Sequence, residues 1–381
     1  MIIYIDITEF VISRINTGIQ RVLKEFLQRV ILDKHEINII YFDEHTDNYQ
    51  LLDNTEVKAF LQEVKTYDFT IFKSIDLYTH SEKDKIFLEL DSVWNCFVKR
   101  IDLYPKLKQY NFKIVNLIYD LTPILFKKYA KENTKINFPL FLNAVYKYSD
   151  FVFFDSLSAE QDFNKLQIKT QSKIKAIPTK VIYLGSDFSS THSRTNTKYE
   201  HLISKKYILF VGTIEPRKNQ LLALKAFEEV YKKHTDLHLV FIGKMGWKTQ
   251  SFNEYLDAHP LKDTNVHHLR DIDDDLLSLF YKSAFLVTYL SKYEGYGLPI
   301  AESLQYGNIT ITSKNSSMYE VGKGFADYLL KNEKNELIHI LSLYLDNQNI
   351  YDKKKKFIKE KYIPPSWDKF YISFIKELSL I

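Results

Sequence analysis

Short apolar runs recur along the whole chain and predict strands that alternate with helices. The runs in the first half lie at 2–6, 37–41, 85–90, 113–118, 151–154 and 181–183, and those in the second half lie at 207–211, 237–243, 266–269, 285–288 and 309–312. They are continuous rather than alternating, which is typical of strands buried on both faces of a parallel sheet. Helical stripes with apolar residues every three or four positions separate many of them, as at 19–31 and 219–233. The pattern predicts an α/β protein with two successive halves of Rossmann type.

A polar stretch divides the two halves. Residues 186–206 carry no apolar stripe, so they are predicted to contain the linker. We place the first domain at 1–190, the linker at 191–206 and the second domain at 207–362. Two stretches are harder to assign: 8–18 is predicted to be a loop or a broken turn, and 44–84 is polar and aromatic without clear periodicity.

The composition fits a globular protein of two domains. A chain of 381 residues is too long for one core, and 45% hydrophobic with 26% charged residues is ordinary for a folded protein. The formal net charge of +4 argues neither for nor against a nucleic-acid partner. The single cysteine, Cys96, excludes an internal disulfide bond and fits a reducing compartment. The opening MIIYID has no leader-like pattern, and no apolar run is long enough to span a bilayer, so the protein is expected to be cytosolic.

The stretch LVTYLSKYEGYGLPIAESLQYG at 286–307 predicts a buried strand, a glycine-bearing loop and a helix that begins near Pro299. The loop glycines allow a ligand to approach the backbone closely, and the helix start suits a phosphate. Glu294 in the loop could then contact a hydroxyl-rich group, and Glu302 in the helix could hold a ribose diol. A nucleotide sugar has all three groups. The alternative is an ordinary strand, loop and helix with two solvated glutamates. As a loop residue, Glu294 is expected to contribute little to stability.

A second strand, loop and helix lies at 210–220, FVGTIEPRKNQ. Gly212 follows the strand, and Arg217 and Lys218 come at the predicted helix start. Two cations at that position oppose the helix dipole, so they are unfavourable unless an anion is present. A diphosphate would satisfy both cations and the helix N–H groups. The alternative is a solvated basic pair.

The string EGYGLPIAE, with Gly307 after it, resembles the Glu-x7-Glu motif of family 4 retaining glycosyltransferases, which have the GT-B fold. FVGTIEPRKNQ and the TGIQRV string at 17–22 also resemble this family, the latter its members that act on bacterial cell-surface polysaccharides. The resemblance implies two Rossmann-like domains that face a cleft, the first on the acceptor side and the second for the nucleotide-sugar donor. It also implies a C-terminal helix at 363–381 that crosses back and packs on the first domain, with Trp367 as an anchor.

The resemblance further implies an activity. A hexose would move from a nucleoside-diphosphate sugar to a glycan or lipid-linked acceptor, with retention of configuration, in lipopolysaccharide or capsule synthesis. GDP-mannose is the donor favoured by the likeness to polysaccharide enzymes, although no motif identifies the base, the sugar or the linkage.

The family's site residues are carried over where this sequence matches the motifs. The catalytic candidates are Glu294 and Asp120. Asp120 follows the strand at 113–118, where the family has a His-Asp pair and this chain has Tyr119 in place of the histidine. A helix-capping role is the alternative for Asp120. The residues implied to bind the sugar donor are Gly18, Gly212, Arg217, Lys218, Gly295, Tyr296, Gly297, Leu298 and Glu302, and a further set of candidates is Thr17, Arg270, Ile272, Ser316 and Ser317.

No metal or other cofactor is expected. Asp271 and Asp273 form an Asp-x-Asp pattern like the metal motif of the other glycosyltransferase fold. The aspartates stand just before an apolar-periodic helix, however, where they predict an N-cap and an acidic first turn.

The expected partners are the nucleotide sugar and the acceptor. The lysine run at 353–361 is either a solvated helix face or a surface for anionic lipid, which would place the protein at the inner face of the cell membrane.

Two other classes of protein are alternatives. A non-catalytic GT-B homologue that only binds a nucleotide sugar is compatible with Tyr119 at the usual histidine position. A nucleic-acid-binding protein would explain the basic balance and the many aromatic residues. No RNA-binding signature is visible and the aromatic residues fall in core-like runs, so no nucleic-acid partner is predicted.

Overall fold

The computed structural model describes residues 1–15, 17–70, 72–81, 83–170, 176–188 and 197–381. Its internal contacts divide the chain into two compact units. Unit 1 comprises Met1–Leu184 and Trp367–Ile381, and unit 2 comprises Gly185–Ser366. The domain limits at 190, 207 and 363 stay predictions. Residues 191–196 of the predicted linker lie outside the described residues, and Glu200–Ile203 form a short helix.

Strands and helices alternate through both units. The strands are β1 Ile2–Asp6, β2 Ile37–Asp43, β3 Asn48–Leu52, β4 Phe72–Ile75, β5 Lys85–Glu89, β6 Phe112–Ile118, β7 Phe151–Phe154, β8 Thr179–Val181, β9 Lys206–Val211, β10 Leu237–Ile242, β11 Val266–Leu269, β12 Leu286–Tyr289, β13 Ile309–Ser313 and β14 Asp327–Leu329.

The described residues also form α-helices. They are α1 Thr8–Ser13, α2 Gly18–Val30, α3 Asn54–Gln62, α4 Arg100–Gln109, α5 Thr122–Leu125, α6 Glu132–Tyr148, α7 Leu157–Thr170, α8 Glu200–Ile203, α9 Gln220–Tyr231, α10 Gln250–Asp257, α11 Asp274–Ser283, α12 Leu298–Gln305, α13 Ser316–Val321, α14 Lys334–Asp346, α15 Gln348–Lys361 and α16 Trp367–Leu378.

Unit 1 is built on one mixed sheet. Its described strands follow the order β4-β3-β2-β1-β5-β6-β7-β8, and all neighbours are parallel except for the antiparallel pairs β2–β3 and β3–β4. The chain leaves β1 to build β2 on one side and later returns to build β5 on the other. The strand order therefore reverses between β1 and β5, and such a reversal opens a crevice at the carboxyl ends of the strands.

The apolar runs located most of the parallel strands but missed the parallel edge strand β14 of unit 2 and two antiparallel strands of unit 1. β3 and β4 lie within 44–84, the stretch without clear periodicity. β4 is an edge strand with mostly exposed side chains, so no apolar run marks it. The predicted loop at 8–18 was wrong in part, because it contains the six-residue helix α1.

The C-terminal helix α16 belongs to the core of unit 1. Trp367 is fully buried, and Phe374 contacts Phe153 with ring centroids 4.2 Å apart. Phe26 of α2 contacts three rings of α16, those of Phe370, Tyr371 and Phe374. Burial of these rings is what fixes the helix to unit 1.

Unit 2 has a parallel sheet in the described order β11-β10-β9-β12-β13-β14. Apolar clusters cover both faces of this sheet, which explains the continuous apolar runs of its strands. The order reverses between β9 and β12, so the crevice of this unit lies where those two strands end.

Candidate functional site

The two strongest sequence motifs meet at the strand reversal of unit 2. Gly212 and the loop at 213–219 follow β9, and the loop at 290–297 follows β12. Lys292 N–H donates to the Arg217 carbonyl over 2.9 Å, so the two loops are joined directly by their backbones. Since β9 and β12 are parallel neighbours, their carboxyl ends bring these loops together at one edge of the sheet.

Buried ion pairs connect the side chains of the two loops. Glu294 Oε1 lies 2.8 Å from Arg217 Nη1 and 2.7 Å from Lys218 Nζ. The other terminal nitrogen of Arg217 lies 2.7 Å from Glu215 Oε1. Only 7% of Glu294 is exposed. The protein therefore supplies the anions that balance Arg217 and Lys218. This corrects the sequence argument that the cations depend on a bound diphosphate, and the expectation that Glu294 contributes little to stability.

Glu294 is held in its ionised form. Burial raises the pKa of its carboxyl, but Arg217 and Lys218 oppose that effect and outweigh it, so the pKa falls to about 2. Burial lowers the pKa of Lys218, and Glu294 opposes that effect. The site thus keeps a carboxylate and two basic side chains together with little water, and interactions between charges are strong in such surroundings.

Two serines of α13 hold the loop that carries Glu294. The Ser317 hydroxyl bonds to the carbonyls of Glu294 and Tyr296, over 3.0 and 2.8 Å. The Glu294 N–H donates to Ser316 Oγ over 3.0 Å. Gly297 ends the loop with a φ of +99° and caps α12, and Leu298 is the first helical residue. Ser316 and Ser317 therefore position the loop, and their predicted contacts with a sugar donor stay predictions.

The loop after β9 packs closely on the loop after β10. Gly212 has a φ of +143°, which disfavours any side chain there. A Cβ on Gly243 would lie 2.2 Å from the Gly212 carbonyl oxygen, so no side chain fits between the two loops. Ile214 N–H donates to the Lys244 carbonyl over 2.8 Å. The glycines thus allow two backbones to meet beside the ion pairs.

Glu302 lies deeper than Glu294. It is 2% exposed on α12, and the Tyr281 hydroxyl donates to its Oε2 over 2.8 Å. Gly295 and Tyr296 are also buried, between the two glutamates in sequence. A ribose that reached Glu302 would compete with Tyr281 for the carboxylate.

The remaining predicted residues of unit 2 lie at the end of β11. Arg270 is exposed and lines a cavity of about 520 Å³, together with Tyr199, Met245 and His268. Ile272 packs against the apolar cluster on this face of the sheet. Asp273 caps α11, because its side chain accepts from Leu276 N–H over 2.8 Å, and the N-cap prediction for this aspartate is confirmed.

Three of the predicted site residues belong to unit 1. Thr17 and Gly18 are exposed at the start of α2. The Asp120 carboxylate accepts from Thr122 N–H over 2.8 Å, so this aspartate supports the turn into α5. Tyr119, at the family's histidine position, donates its hydroxyl to the Leu90 carbonyl over 2.6 Å. Burial raises the pKa of Tyr119 well above its usual value, so its hydroxyl stays protonated and cannot take a proton as a histidine could.

Sequence reasoning missed two members of the site. Glu215 is buried and pairs with Arg217, and the Tyr289 hydroxyl accepts a hydrogen bond from Lys218. Glu215 stands two residues before Arg217 inside FVGTIEPRKNQ, so its position was a usable signal. Tyr289 gave none, because an aromatic residue inside an apolar strand is usually part of the core.

A known family model matches most of the second half of the chain. Residues 193–362 match the family model described as glycosyl transferases group 1. The serotype-specific mannosyltransferase WbdA of Escherichia coli is 23% identical over 313 residues, which are 79% of this chain and 37% of WbdA. The chain therefore spans little more than a third of that relative's length.

Solved structures reveal the same fold. HepE of Anabaena, in complex with UDP and glucose, matches with a TM-score of 0.66 at 14% identity over 100% of both chains. WaaG, a glycosyltransferase involved in lipopolysaccharide biosynthesis, matches with a TM-score of 0.62 at 13% identity over 94% of both chains.

Among the helices formed by the described residues, none has the length and apolar character needed to cross a membrane.

Proposed function

We propose that this chain is a glycosyltransferase that transfers a hexose from a nucleoside-diphosphate sugar to a glycan or lipid-linked acceptor. Residues 193–362 match the group 1 glycosyl transferase model, and the fold resembles those of HepE and WaaG. The reaction retains the anomeric configuration and serves the synthesis of a cell-surface polysaccharide. The similarity to WbdA and to WaaG supports this setting.

The buried contact of Glu294 with Arg217 and Lys218 is the observation that carries the proposal. A solvent-exposed ion pair contributes little to the free energy of folding. Burying three charged groups costs desolvation free energy, so their burial at this place is consistent with a binding function. A diphosphate that enters between the loops can take over the two cations, since phosphate oxygens are strong acceptors for both. The carboxylate then becomes available to the sugar. One set of contacts thus fits both parts of a nucleotide sugar.

The proposed chemistry needs few groups from the protein. The bond between the anomeric carbon and the diphosphate oxygen breaks, the acceptor oxygen bonds to that carbon on the same face, and the acceptor proton passes to the departing diphosphate. Arg217 and Lys218 stabilise the negative charge that grows on the diphosphate. Glu294 steadies the positive charge at the anomeric carbon, and Glu302 orients the ribose.

Mannose from GDP-mannose is the proposed donor, because WbdA is a mannosyltransferase. HepE was solved with UDP and glucose, so a uridine nucleotide sugar is the comparison to make. No divalent metal takes part in the proposed reaction. The protein would act at the inner face of the cell membrane, where the exposed lysines of α15 meet anionic lipid.

A thermal-shift panel tests the proposal. GDP-mannose, UDP-glucose, GDP, UDP and ATP are each added with and without EDTA, and transfer to added mannosides is followed in parallel. A bound donor raises the melting temperature by mass action. We expect the largest shift with GDP-mannose, unchanged by EDTA. Equal, negligible shifts with all five ligands would contradict the proposal.

Tyr119 favours one alternative, a homologue that binds the nucleotide sugar without turnover. Its hydroxyl is committed to the Leu90 carbonyl, so it does not replace the proton-accepting function of a histidine. A clear thermal shift with GDP-mannose, without transfer or hydrolysis of the bound sugar, would support this alternative. Measured turnover would exclude it.

A further inference from the structure

Carboxyl groups gather at the strand reversal of unit 1, in a region that the proposed sugar-donor site does not use. Asp6 and Glu89 end β1 and β5, the two strands between which the order reverses, and Asp91 follows β5. Asp155 follows β7 and is buried. Glu9, on α1, is influenced by the charges of both Asp91 and Asp6. These five carboxyl groups lie at one edge of the sheet.

The deepest part of this cluster is self-contained. Arg100 lies 2.6 Å from Asp6 and 2.5 Å from Glu89, with all three side chains almost fully buried. Tyr104 and Asn116 donate to the second oxygen of Glu89. Every charge here has a partner, so this part of the cluster is structural.

Asp91 is different, because one of its oxygens is unsatisfied. Its Oδ1 accepts from Gln20 over 2.7 Å and from the Ser92 N–H over 2.6 Å. Among the described residues, Asp91 Oδ2 has no hydrogen-bond partner, although the residue is only 3% exposed. Thr122, which follows β6, is 8% exposed, and within the same described part of the chain its hydroxyl also lacks a partner. A buried polar atom gains stability from a hydrogen-bond partner, so these two atoms, which follow the neighbouring strands β5 and β6, are positions where a hydroxyl group would be stabilised.

A hydrogen-bond chain connects Asp91 to the protein surface. Thr17 is exposed at the first turn of α2, and its hydroxyl donates to Gln20, which in turn donates to Asp91. The Oδ2 atom itself is covered, so a ligand reaches it only when a side chain moves. Gln20 is the side chain that would move, because it contacts both Asp91 and Thr17 at the exposed start of α2.

We propose that Asp91 accepts a hydrogen bond from a hydroxyl group of an uncharged acceptor sugar, and that acceptor sugars bearing phosphate or carboxylate are rejected. The inference rests on the proposed function, because it assumes a sugar acceptor at this edge of unit 1. A carboxylate offers only acceptor atoms, which suit the hydroxyl groups of a neutral sugar. Ionised carboxylates repel an anion, and because burial raises the pKa of Glu9 to about 7 and also raises the pKa of Asp91, this repulsion increases as the pH rises. Two described cations that influence this edge are already engaged: Arg100 is bound by two carboxylates, and Lys99 donates to the Cys96 carbonyl.

A matched pair of probes tests the charge preference on the full chain. Methyl α-mannoside and its 6-phosphate are titrated calorimetrically in the presence of GDP or UDP, whichever gives the larger thermal shift. We expect the neutral mannoside to bind at least tenfold more tightly than its phosphate. Equal binding, or tighter binding of the phosphate, would overturn the inference. This comparison uses the wild-type protein, so it does not depend on the folding of a variant.

Asp91→Asn tests the residue. The amide keeps an oxygen acceptor but removes the charge, so the preference for the neutral probe should fall at least fivefold. Asp84→Asn is the matched control, because Asp84 precedes the same strand at its opposite end and 74% of its side chain is exposed. An unchanged preference in Asp91→Asn would overturn the assignment.

If no nucleotide produces a thermal shift, the proposed function fails and the inference fails with it. If a nucleotide produces a thermal shift but the protein binds methyl α-mannoside and its 6-phosphate with equal affinity, the inference alone fails.

Discussion

At the scale of single residues, Glu294 has two functions that the same contacts explain. In the structure its carboxylate neutralises Arg217 and Lys218, whose side chains are 13% and 12% exposed. In the proposed reaction it serves the sugar once a diphosphate has taken over the cations. A residue that balances buried charge and also serves the reaction should show both roles when it is replaced.

Glu294→Gln should lower turnover about a hundredfold, which corresponds to about 2.7 kcal/mol of transition-state stabilisation. The same change frees two cations, so affinity for the bare nucleoside diphosphate should stay the same or rise. Turnover is measured with the donor found in the thermal-shift panel, and diphosphate affinity by calorimetry. Glu302→Gln is the comparison: it should raise the donor KM more than it lowers kcat. Near-normal turnover in Glu294→Gln would remove this residue from the reaction.

The stability that Glu294 contributes should depend on pH. Its folded pKa of about 2 lies below the ordinary value of 4.5. Such a group stabilises the fold fully above its unfolded pKa, and this stabilisation is lost as pH falls towards the folded pKa. At pH 7 the wild type should exceed Glu294→Gln by about 3 kcal/mol in free energy of unfolding, and this difference should fall below about half by pH 3. Urea unfolding at each pH measures it, and a difference that is constant from pH 7 to pH 3 would contradict the ion-pair origin.

At the scale of elements, the site is made by loops rather than by the helices beside them. Arg217 and Lys218 precede α9, which begins at Gln220 after Asn219 in the left-handed conformation. Glu294 precedes α12 in the same way, and the serines of α13 hold its loop. Rigid parallel strands place these loops, and the loops carry the charges.

Replacement of both Arg217 and Lys218 by alanine should weaken binding of a nucleoside diphosphate at least tenfold, or about 1.4 kcal/mol, because two phosphate contacts are lost. The matched control is Lys232→Ala with Lys233→Ala, which removes the same charge at the far end of α9. Both of those side chains are 70% exposed. Calorimetry with GDP and UDP compares the two double variants, and equal affinities would show that the first pair does not bind diphosphate.

The attachment of α16 can be tested by its aromatic contacts. Phe374 is fully buried against Phe26 and Phe153, so Phe374→Ala should lower the free energy of unfolding by about 3–5 kcal/mol. Ile372→Ala, on the same helix but at a position 65% exposed, should change it by less than about 0.5 kcal/mol. Urea unfolding of both variants gives the comparison. A small effect of Phe374→Ala would show that α16 is weakly held.

At the scale of the whole molecule, two compact units each have their own sheet and their own core. In both, the strand order reverses at a central position, and the chemically distinctive residues lie where the strands end. Unit 2 presents two cations with their counter-anions, and unit 1 presents carboxylates with one paired arginine. The difference in charge matches the proposed division of labour, with an anionic sugar donor on unit 2 and a neutral acceptor on unit 1.

The sequence by itself determined the fold class and most of the buried parallel strands. Continuous apolar runs mark parallel strands because both faces of such strands are buried, and this signal needs only local sequence. The motifs at 210–220 and 286–307 also stand in the sequence as short strings, so Arg217, Lys218 and Glu294 could be named from them. The edge strand β4 could not be found in that way, because its side chains are exposed and no local pattern distinguishes it.

Only the tertiary structure decided which groups balance one another. Glu294 follows Lys218 by some 76 positions, and the contact between them exists because β9 and β12 are neighbours in the sheet. The pKa of Glu294 and the unsatisfied oxygen of Asp91 are likewise properties of surroundings that distant segments supply. Burial and electrostatic coupling depend on distance in space, and the linear sequence specifies that distance only through the completed fold.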